Sequence, residues 1–397
     1  MKEHIERLHK IALSESRRII GLMSGTSLDG LDIAICNIRK SGTNTSLTLE
    51  KFITVPYEDS FRKEIRTIFA RRDIDFQQLC LLNPYIGITH GKMILESLKS
   101  WDIQPSEIDL IASHGQTVFH APQKQHKLPE YPNATLQIGD GDHIAVQTGI
   151  ITISDFRQKH IAAGGEGAPL AVYGDYYLFS KENENRILLN MGGIANFTFL
   201  PGHLDAASVF TTDTGPGNTL LDYFVRKFFD KPFDENGGIA ASGNVNQALL
   251  AELKSLAFFT LPFPKTTGPE VFNFEYVEKA IEKTGAASLS NEDVIATLTQ
   301  LSADTIVDAI KMSIESGEEY KIYASGGGAH NPVLMRAIST QLNQPVDLID
   351  KLGIAGDAKE AVLFAVLANE TVAGEQSDFG KKEGVPSISM GKISFPG

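Results

Sequence analysis

The chain has 397 residues, 42% of them hydrophobic, which is more than one hydrophobic core of ordinary size holds and predicts two domains. A formal net charge of −13 speaks against non-specific binding to nucleic acid or to an anionic membrane, although a local basic pocket for a phosphorylated ligand stays open. The only cysteines, Cys36 and Cys80, are too isolated for a disulfide framework or a zinc site and suit a reducing compartment, so the cytoplasm is expected.

In chain order, residues 1–10 are charged and helical in pattern and carry no apolar signal core, and no apolar run is long enough to span a bilayer. Residues 18–24 and 31–36 read as a β-hairpin with a Ser/Thr/Gly tip, and a third strand is expected over 46–55. Residues 61–100 have helical spacing with a break at Asn83-Pro84. A short buried strand over 108–113, a loop over 123–133, a helix over 142–148, a strand over 150–154 and a helix over 167–180 complete the first half. The order then begins again: a hairpin of 186–191 and 195–200 around Gly192-Gly193, a third strand ending at Thr212, helices over 219–229 and 298–314, a strand over 321–324 and a helix over 358–369. Two halves of matching order predict an internal structural duplication with a ligand cleft between them.

Glycine-rich segments interrupt this plan at 21–32, 213–218 and 325–331, each joining bare backbone to hydroxyl or carboxylate side chains. Glycine lets main-chain N–H groups approach an anion, hydroxyls add donors, and a carboxylate can hold Mg²⁺, so a nucleotide-phosphate site is expected. The first segment lacks the Gly-Lys-Ser/Thr ending of a P-loop, and no Gly-x-Gly-x-x-Gly opens a strand-to-helix turn. Leu28-Asp29-Gly30 could be a simple turn, yet Ser24, Thr26 and Ser27 put more hydroxyls on one tip than a turn requires.

Asp213 is placed at a strand end before Gly-Pro-Gly, where a carboxylate faces a ligand; it could equally cap the helix that follows, as could Asn218. His114 and Gln116 follow a buried strand and suit sugar hydroxyls. Arg157 suits a carboxylate ligand through two parallel bonds, or else an internal pair with Asp155. Glu360 opens a helix, where a solvated partner of the helix dipole is the plain alternative to a sugar contact. His120 and His126 lack metal-ligand spacing and read as surface residues.

Two halves with glycine-tipped hairpins resemble the actin, hexokinase and Hsp70 superfamily of ATP-binding folds. Seven segments in one order, 21–32, 113–117 (Ser-His-Gly-Gln-Thr), 155–157 (Asp-Phe-Arg), 162–170, 190–196, 213–218 and 326–331, are similar to the anhydro-N-acetylmuramic acid kinase family. The resemblance implies an α/β fold of two actin-like (ribonuclease H-like) domains, residues 1–182 with 357–397 packing back on them and residues 183–356, with ATP and sugar between them. It implies an ATP- and Mg²⁺-dependent enzyme that opens the 1,6-anhydro ring of 1,6-anhydro-N-acetylmuramic acid and phosphorylates O6, in cell-wall recycling.

By the same resemblance Asp213 is the general base. Gly25, Thr26, Ser27, Leu28, Asp29, Gly30, Leu31, Asp32, Gly192, Gly193, Gly326, Gly327 and Gly328 meet the nucleotide, with Asp29 or Asp32 nearest Mg²⁺. His114, Gln116, Arg157, Asn218 and Glu360 meet the substrate, and a homodimer is expected. Gln158-Lys159-His160 and Glu166 depart from the family pattern, which keeps a kinase of another anhydro- or amino sugar as an alternative. A non-catalytic, nucleotide-gated binding protein is a further one, because one fold hosts many functions.

Overall fold

The computed structural model describes residues 1–314, 317–375, 377–380 and 384–397. The chain divides into two compact units, the first made of residues 1–180, 205–208 and 353–397 and the second of residues 181–204 and 209–352. Among the described residues the strands in chain order are β1 (Ser16–Ser24), β2 (Gly30–Arg39), β3 (Ser46–Pro56), β4 (Leu110–Ala121), β5 (Ala134–Ile138), β6 (Ile151–Ser154), β7 (Asn185–Met191), β8 (Ile194–Leu200), β9 (Phe210–Pro216), β10 (Tyr320–Ser325), β11 (Val346–Leu348) and β12 (Lys392–Ser394).

In the first unit the sheet order is β12-β6-β4-β1-β2-β3, with β5 on the far end of β4. β1, β2 and β3 form an antiparallel meander, whereas β4 joins β1 and β6 joins β4 in parallel. Side chains alternate along a strand, so Ile20, Leu22, Ile33 and Ile35 face one core, where Phe61, Ile65, Ile86, Ile94 and Leu98 of helices Asp59–Arg66 and Phe76–Ser100 cover them. Gly21 faces the other way, against helix Lys359–Ala373. A Cβ there would stand 1.9 Å from the carbonyl oxygen of Ala361, so only glycine lets this helix lie so near β1.

The second unit repeats the arrangement as β11-β10-β7-β8-β9. Its first three strands are again an antiparallel meander, and β10 joins β7 and β11 joins β10 in parallel. Ile187, Leu189, Phe197 and Ile322 pack with Ile306 and Ile310 of helix Asn291–Ser313. Three meandering strands followed by two parallel ones, built twice, is the ribonuclease H-like plan of actin-like ATPases. No helix among the described residues is long and apolar enough to cross a membrane.

Some expected elements differ from those observed. Helix Phe76–Ser100 runs through Pro84, and the expected break falls at residues 67–75 instead. A proline inside a helix disturbs the bonding of the preceding turn; here the Asn83 carbonyl accepts from Asp140 N–H at 3.3 Å and the Asn83 side chain from Gly139 N–H at 3.0 Å. β4 continues to Ala121 through the polar Ser113–Thr117 stretch, because β5 pairs with its far half from Gln116 on. A helix at Phe156–Ala162 was not expected, and the helix expected over 167–180 is confined to Ala171–Phe179. Residues 123–126 of the expected loop form a short helical turn. β9 extends beyond Thr212, so Asp213 lies within the strand.

Candidate active site

The tip between β1 and β2 is shaped by buried residues and lined by exposed ones. Leu28, in the left-handed conformation at φ 58°, and Leu31 are buried in the core and anchor the turn. Gly30 lies against the Val55 carbonyl. Thr26, Ser27 and Asp29 are exposed, with the Ser27 hydroxyl donating to Asp29 Oδ1 at 2.7 Å and Gly30 N–H to the same oxygen at 3.2 Å. Among the described residues no acceptor meets the N–H groups of Gly25, Thr26 or Ser27, and a Cβ at Gly25 would meet only the Ser27 side chain and backbone, no nearer than 3.5 Å. Such a tip presents backbone donors to an anion.

A buried polar chain supports that tip from behind. The Ser24 hydroxyl donates to Gln116 Oε1 at 2.5 Å, Tyr57 Oη stands 2.7 Å from Ser24 Oγ, and His90 Nε2 stands 2.9 Å from Tyr57 Oη. With the Ser24 proton committed to Gln116, Tyr57 donates to Ser24 and His90 donates to Tyr57, which sets the proton of the neutral imidazole on Nε2. Burial pushes the His90 pKa down to about 4, so the ring stays neutral. Gln116 Nε2 donates to the carbonyls of Gly25 at 3.3 Å and Thr117 at 3.1 Å. Its amide is therefore committed to holding Gly25, whereas a sugar contact was expected of it.

Charged groups gather beside this hairpin. Arg157, in the first turn of helix Phe156–Ala162, donates from Nε to His114 Nε2 on β4 at 2.9 Å. Burial first and the guanidinium second push the His114 pKa down to about 3. The Asp155–Arg157 pair that the sequence left open does not form: Asp155 pairs with Lys392. Burial raises the Asp32 carboxyl, the Thr54 hydroxyl at 2.5 Å lowers it, and the charges of Asp29 and Asp357 raise it further.

Glu360, in the first turn of helix Lys359–Ala373, is exposed to solvent, although protein crowds around its carboxyl. Burial raises its carboxyl, Asp32 adds to the rise, and Lys359 and Arg157 oppose it. His114 also lines a cavity of about 350 Å³ with Ser113, Asp140, Ser154 and Asp155, where the parallel pairing of β4 with β6 ends at Ser113 and Ser154. A larger, apolar hollow of about 760 Å³ beside Arg71, Leu79 and Leu136 holds none of the expected site residues.

Hard oxygen donors beside the raised carboxyl of Asp32 suit a divalent cation. Among the described residues no three acidic, histidine or cysteine side chains converge on one point.

In the second unit Asn218 brings the other glycine segments together. Its Nδ2 donates to the Met191 carbonyl at 3.1 Å, and Cβ atoms built on Gly327 and Gly328 would each lie 3.2 Å from its side chain. Gly217, not Asp213 or Asn218, is the N-cap of helix Asn218–Phe229. The helix's first N–H groups are already bonded, Asn218 to the Gly192 carbonyl at 2.8 Å and Thr219 to the Gly193 carbonyl at 3.2 Å. The tip at Gly192-Gly193 thus lends its carbonyls to the helix. Gly326 takes φ 80° at the end of β10, a conformation that favours glycine, and leads into the turn Gly327–His330. Half-buried Asp213 accepts at Oδ2 from Thr267 N–H at 2.8 Å.

Within the first unit, then, the Gly25–Asp32 tip lies with His114, Gln116, Arg157 and Glu360, and within the second Asn218 lies with Gly192, Gly193 and Gly326–Gly328. Tyr57, His90, Asp357 and Thr267 were not anticipated. Their only sequence signal was the Lys265-Thr-Thr-Gly268 run, with its hydroxyls beside glycine.

The sequence model of the anhydro-N-acetylmuramic acid kinase family matches residues 17–394. The chain belongs to that family. A relative of that name from Pseudoalteromonas atlantica is 55% identical over the whole of both chains. One from Pseudoalteromonas translucida is 51% identical over the whole of both. One from Caldanaerobacter subterraneus is 38% identical over 98% of this chain and all of its own. The residues that depart from the family's usual motifs are absorbed locally: Gln158 Nε2 donates to the Thr135 carbonyl at 2.5 Å, and Glu166 pairs with Lys124 of the 123–133 segment at 2.8 Å.

Proposed function

We propose that this chain uses ATP and water to open the 1,6-anhydro ring of 1,6-anhydro-N-acetylmuramic acid and to phosphorylate O6, giving N-acetylmuramic acid 6-phosphate and ADP. Family membership supports the reaction class. The observation that carries the mechanism is Asp213, held by a backbone N–H at one carboxylate oxygen within a strand that ends in Gly-Pro-Gly.

Asp213 takes a proton from water, and the water oxygen bonds to the anomeric carbon. The bond from that carbon to O6 breaks, O6 bonds to the γ-phosphorus, and the bond from phosphorus to the departing ADP breaks. The proton on Asp213 passes to solvent. A positioned carboxylate base contributes on the order of 10²–10⁴ to such a step.

The N–H groups of Gly25, Thr26 and Ser27 and the exposed hydroxyl of Thr26 take phosphate oxygens, Gly192, Gly193 and Gly326–Gly328 take the rest of the nucleotide, and Asn218, which the resemblance gives to the substrate, orders those glycine segments through its bond to the Met191 carbonyl. Asp32 and Asp29 would hold Mg²⁺, which would supply charge neutralisation on the phosphates. Arg157, His114 and Glu360 orient the sugar. Arg157 takes its lactyl carboxylate, for which a guanidinium beside a neutral imidazole keeps its positive charge available.

The free thiols Cys36 and Cys80 suit a cytoplasmic place in cell-wall recycling, and a homodimer is proposed on the family resemblance alone, to be tested by light scattering. The chain is tested with ATP, Mg²⁺ and a panel of anhydro- and amino sugars. ADP release with the anhydromuramic acid and not with its ring-opened or lactyl-free analogues is expected; preference for another sugar would overturn the acceptor.

A further inference from the structure

The segment running from Phe263 to Thr267 lies along β9 and is bonded to it repeatedly. Lys265 N–H donates to the Thr212 hydroxyl at 3.0 Å, Asp213 N–H donates to the Lys265 carbonyl at 2.9 Å, and Thr267 N–H donates to Asp213 Oδ2 at 2.8 Å. The segment is itself anchored by the Lys265 side chain. Its ammonium donates to the carbonyls of Phe258 at 3.0 Å and Phe259 at 3.2 Å and stands 4.6 Å from the ring centroids of both Phe258 and Phe263.

Lys265 is only 8% exposed, and among the described residues no carboxylate pairs with it. Burying an ammonium without a counter-ion is costly, and burial pulls its pKa below the ordinary lysine value. An apolar side chain would fill the same pocket at lower cost, but it would make no bond to the two carbonyls. The charge therefore calls for an explanation beyond packing.

We propose that Lys265 is a positioning residue for Asp213: anchored on the Phe258 and Phe259 carbonyls, it holds the 263–267 segment so that Thr267 N–H fixes the rotation of the Asp213 carboxylate. This rests on Asp213 being the base. Lys265 touches neither water nor sugar and acts through the strand and the Thr267 amide.

The test is the pH dependence of kcat for Lys265→Met, an apolar replacement of similar length, and for a protein in which the amide at residue 267 is replaced by an ester, which removes only the N–H. Both are expected to lower kcat by about tenfold or more while KM for ATP and sugar stays within about threefold. In both, the acid limb of kcat is expected to move to higher pH, because a carboxylate that loses an N–H donor protonates more readily. If Lys265→Met does not fold, the ester decides. A folded variant with the original kcat and acid limb, or one that loses kcat with an unmoved acid limb, overturns the proposal. Asp213→Asn is measured alongside: if it turns over normally, the base assignment itself falls, whereas an inactive Asp213→Asn beside an unaffected Lys265→Met refutes only the role of Lys265.

Discussion

Arg157 Nε donates to His114 Nε2 across 2.9 Å, which forces that imidazole nitrogen to be the acceptor. An imidazole in this position cannot take a proton there without facing a buried guanidinium. His114 is thereby a neutral, rigid wall of the cavity it lines, and Arg157 has its orientation set before any substrate arrives. Such pre-orientation is what a bidentate carboxylate contact requires.

This neutrality has a cost at low pH. Burial pushes the pKa of His114 down to about 3 and those of His90 and His160 down to about 4, all in the first unit. Unfolded, these histidines bind protons near pH 6.5; folded, they do not. Stability is therefore full above about pH 6.5 and falls as the pH drops toward 4, by up to about 1.4 kcal/mol per pH unit for each ring. The raised carboxyls of Glu360, Asp32 and Glu370 act in the opposite direction, binding protons more readily when folded, and oppose the loss below the point where they begin to titrate. Urea melts at pH 7.5 and 5.5 are expected to show lower stability at the lower pH, and equal midpoints would contradict the assignment of neutral, buried rings.

Replacing Asp213 with asparagine keeps the shape of the side chain and removes its basicity. Turnover is expected to fall by about 10²–10⁴ with ATP affinity within about threefold of the original, measured by calorimetry. Loss of nucleotide binding in step with turnover would point instead to a structural role.

Gly21 and Gly25 are glycines for different reasons, and alanine separates them. Gly21→Ala drives a methyl into the Ala361 carbonyl and pushes helix Lys359–Ala373 off the sheet, so a loss of about 1–3 kcal/mol or failure to fold is expected. The methyl of Gly25→Ala meets only Ser27, at ordinary contact distance, so the melting temperature is expected to stay put while KM for ATP rises. Equal effects on stability would refute the assignment of Gly25 to the phosphates.

Tyr57→Phe cuts the chain between Ser24 and His90 and leaves a buried His90 N–H without its acceptor. A loss of about 1–3 kcal/mol in chemical denaturation is expected, with a smaller loss in a Tyr57→Phe, His90→Leu double variant that removes both ends. Additive losses would show that the two side chains do not act as a pair.

The hairpins and the duplicated order were legible because apolar residues such as Ile19, Ile20, Ile33 and Ile35 mark strands by themselves. What was hidden depends on partners far along the chain. The expected strand stops at Ser113, but the side chains of 113–117 are buried in β4 and Gln116 finds Ser24 and Gly25 about ninety residues away. Pro84 reads as a break, but Asn83 has the backbone N–H groups of Gly139 and Asp140 as partners. Gly192 and Gly193 meet the nucleotide by resemblance, and only the fold reveals that their carbonyls also serve helix Asn218–Phe229. No pattern in the sequence marks Lys265 or Thr267 as neighbours of Asp213.

The central claim is a ring opening by water coupled to phosphoryl transfer at O6. Mass spectrometry of the sugar product formed with ATP, Mg²⁺ and 1,6-anhydro-N-acetylmuramic acid in heavy-oxygen water tests it most directly, when read within seconds, before the anomeric oxygen exchanges with solvent. A 6-phosphate carrying one solvent oxygen, at the anomeric carbon, is predicted; a phosphorylated sugar with its anhydro ring intact, or with solvent oxygen in the phosphate instead, would contradict it.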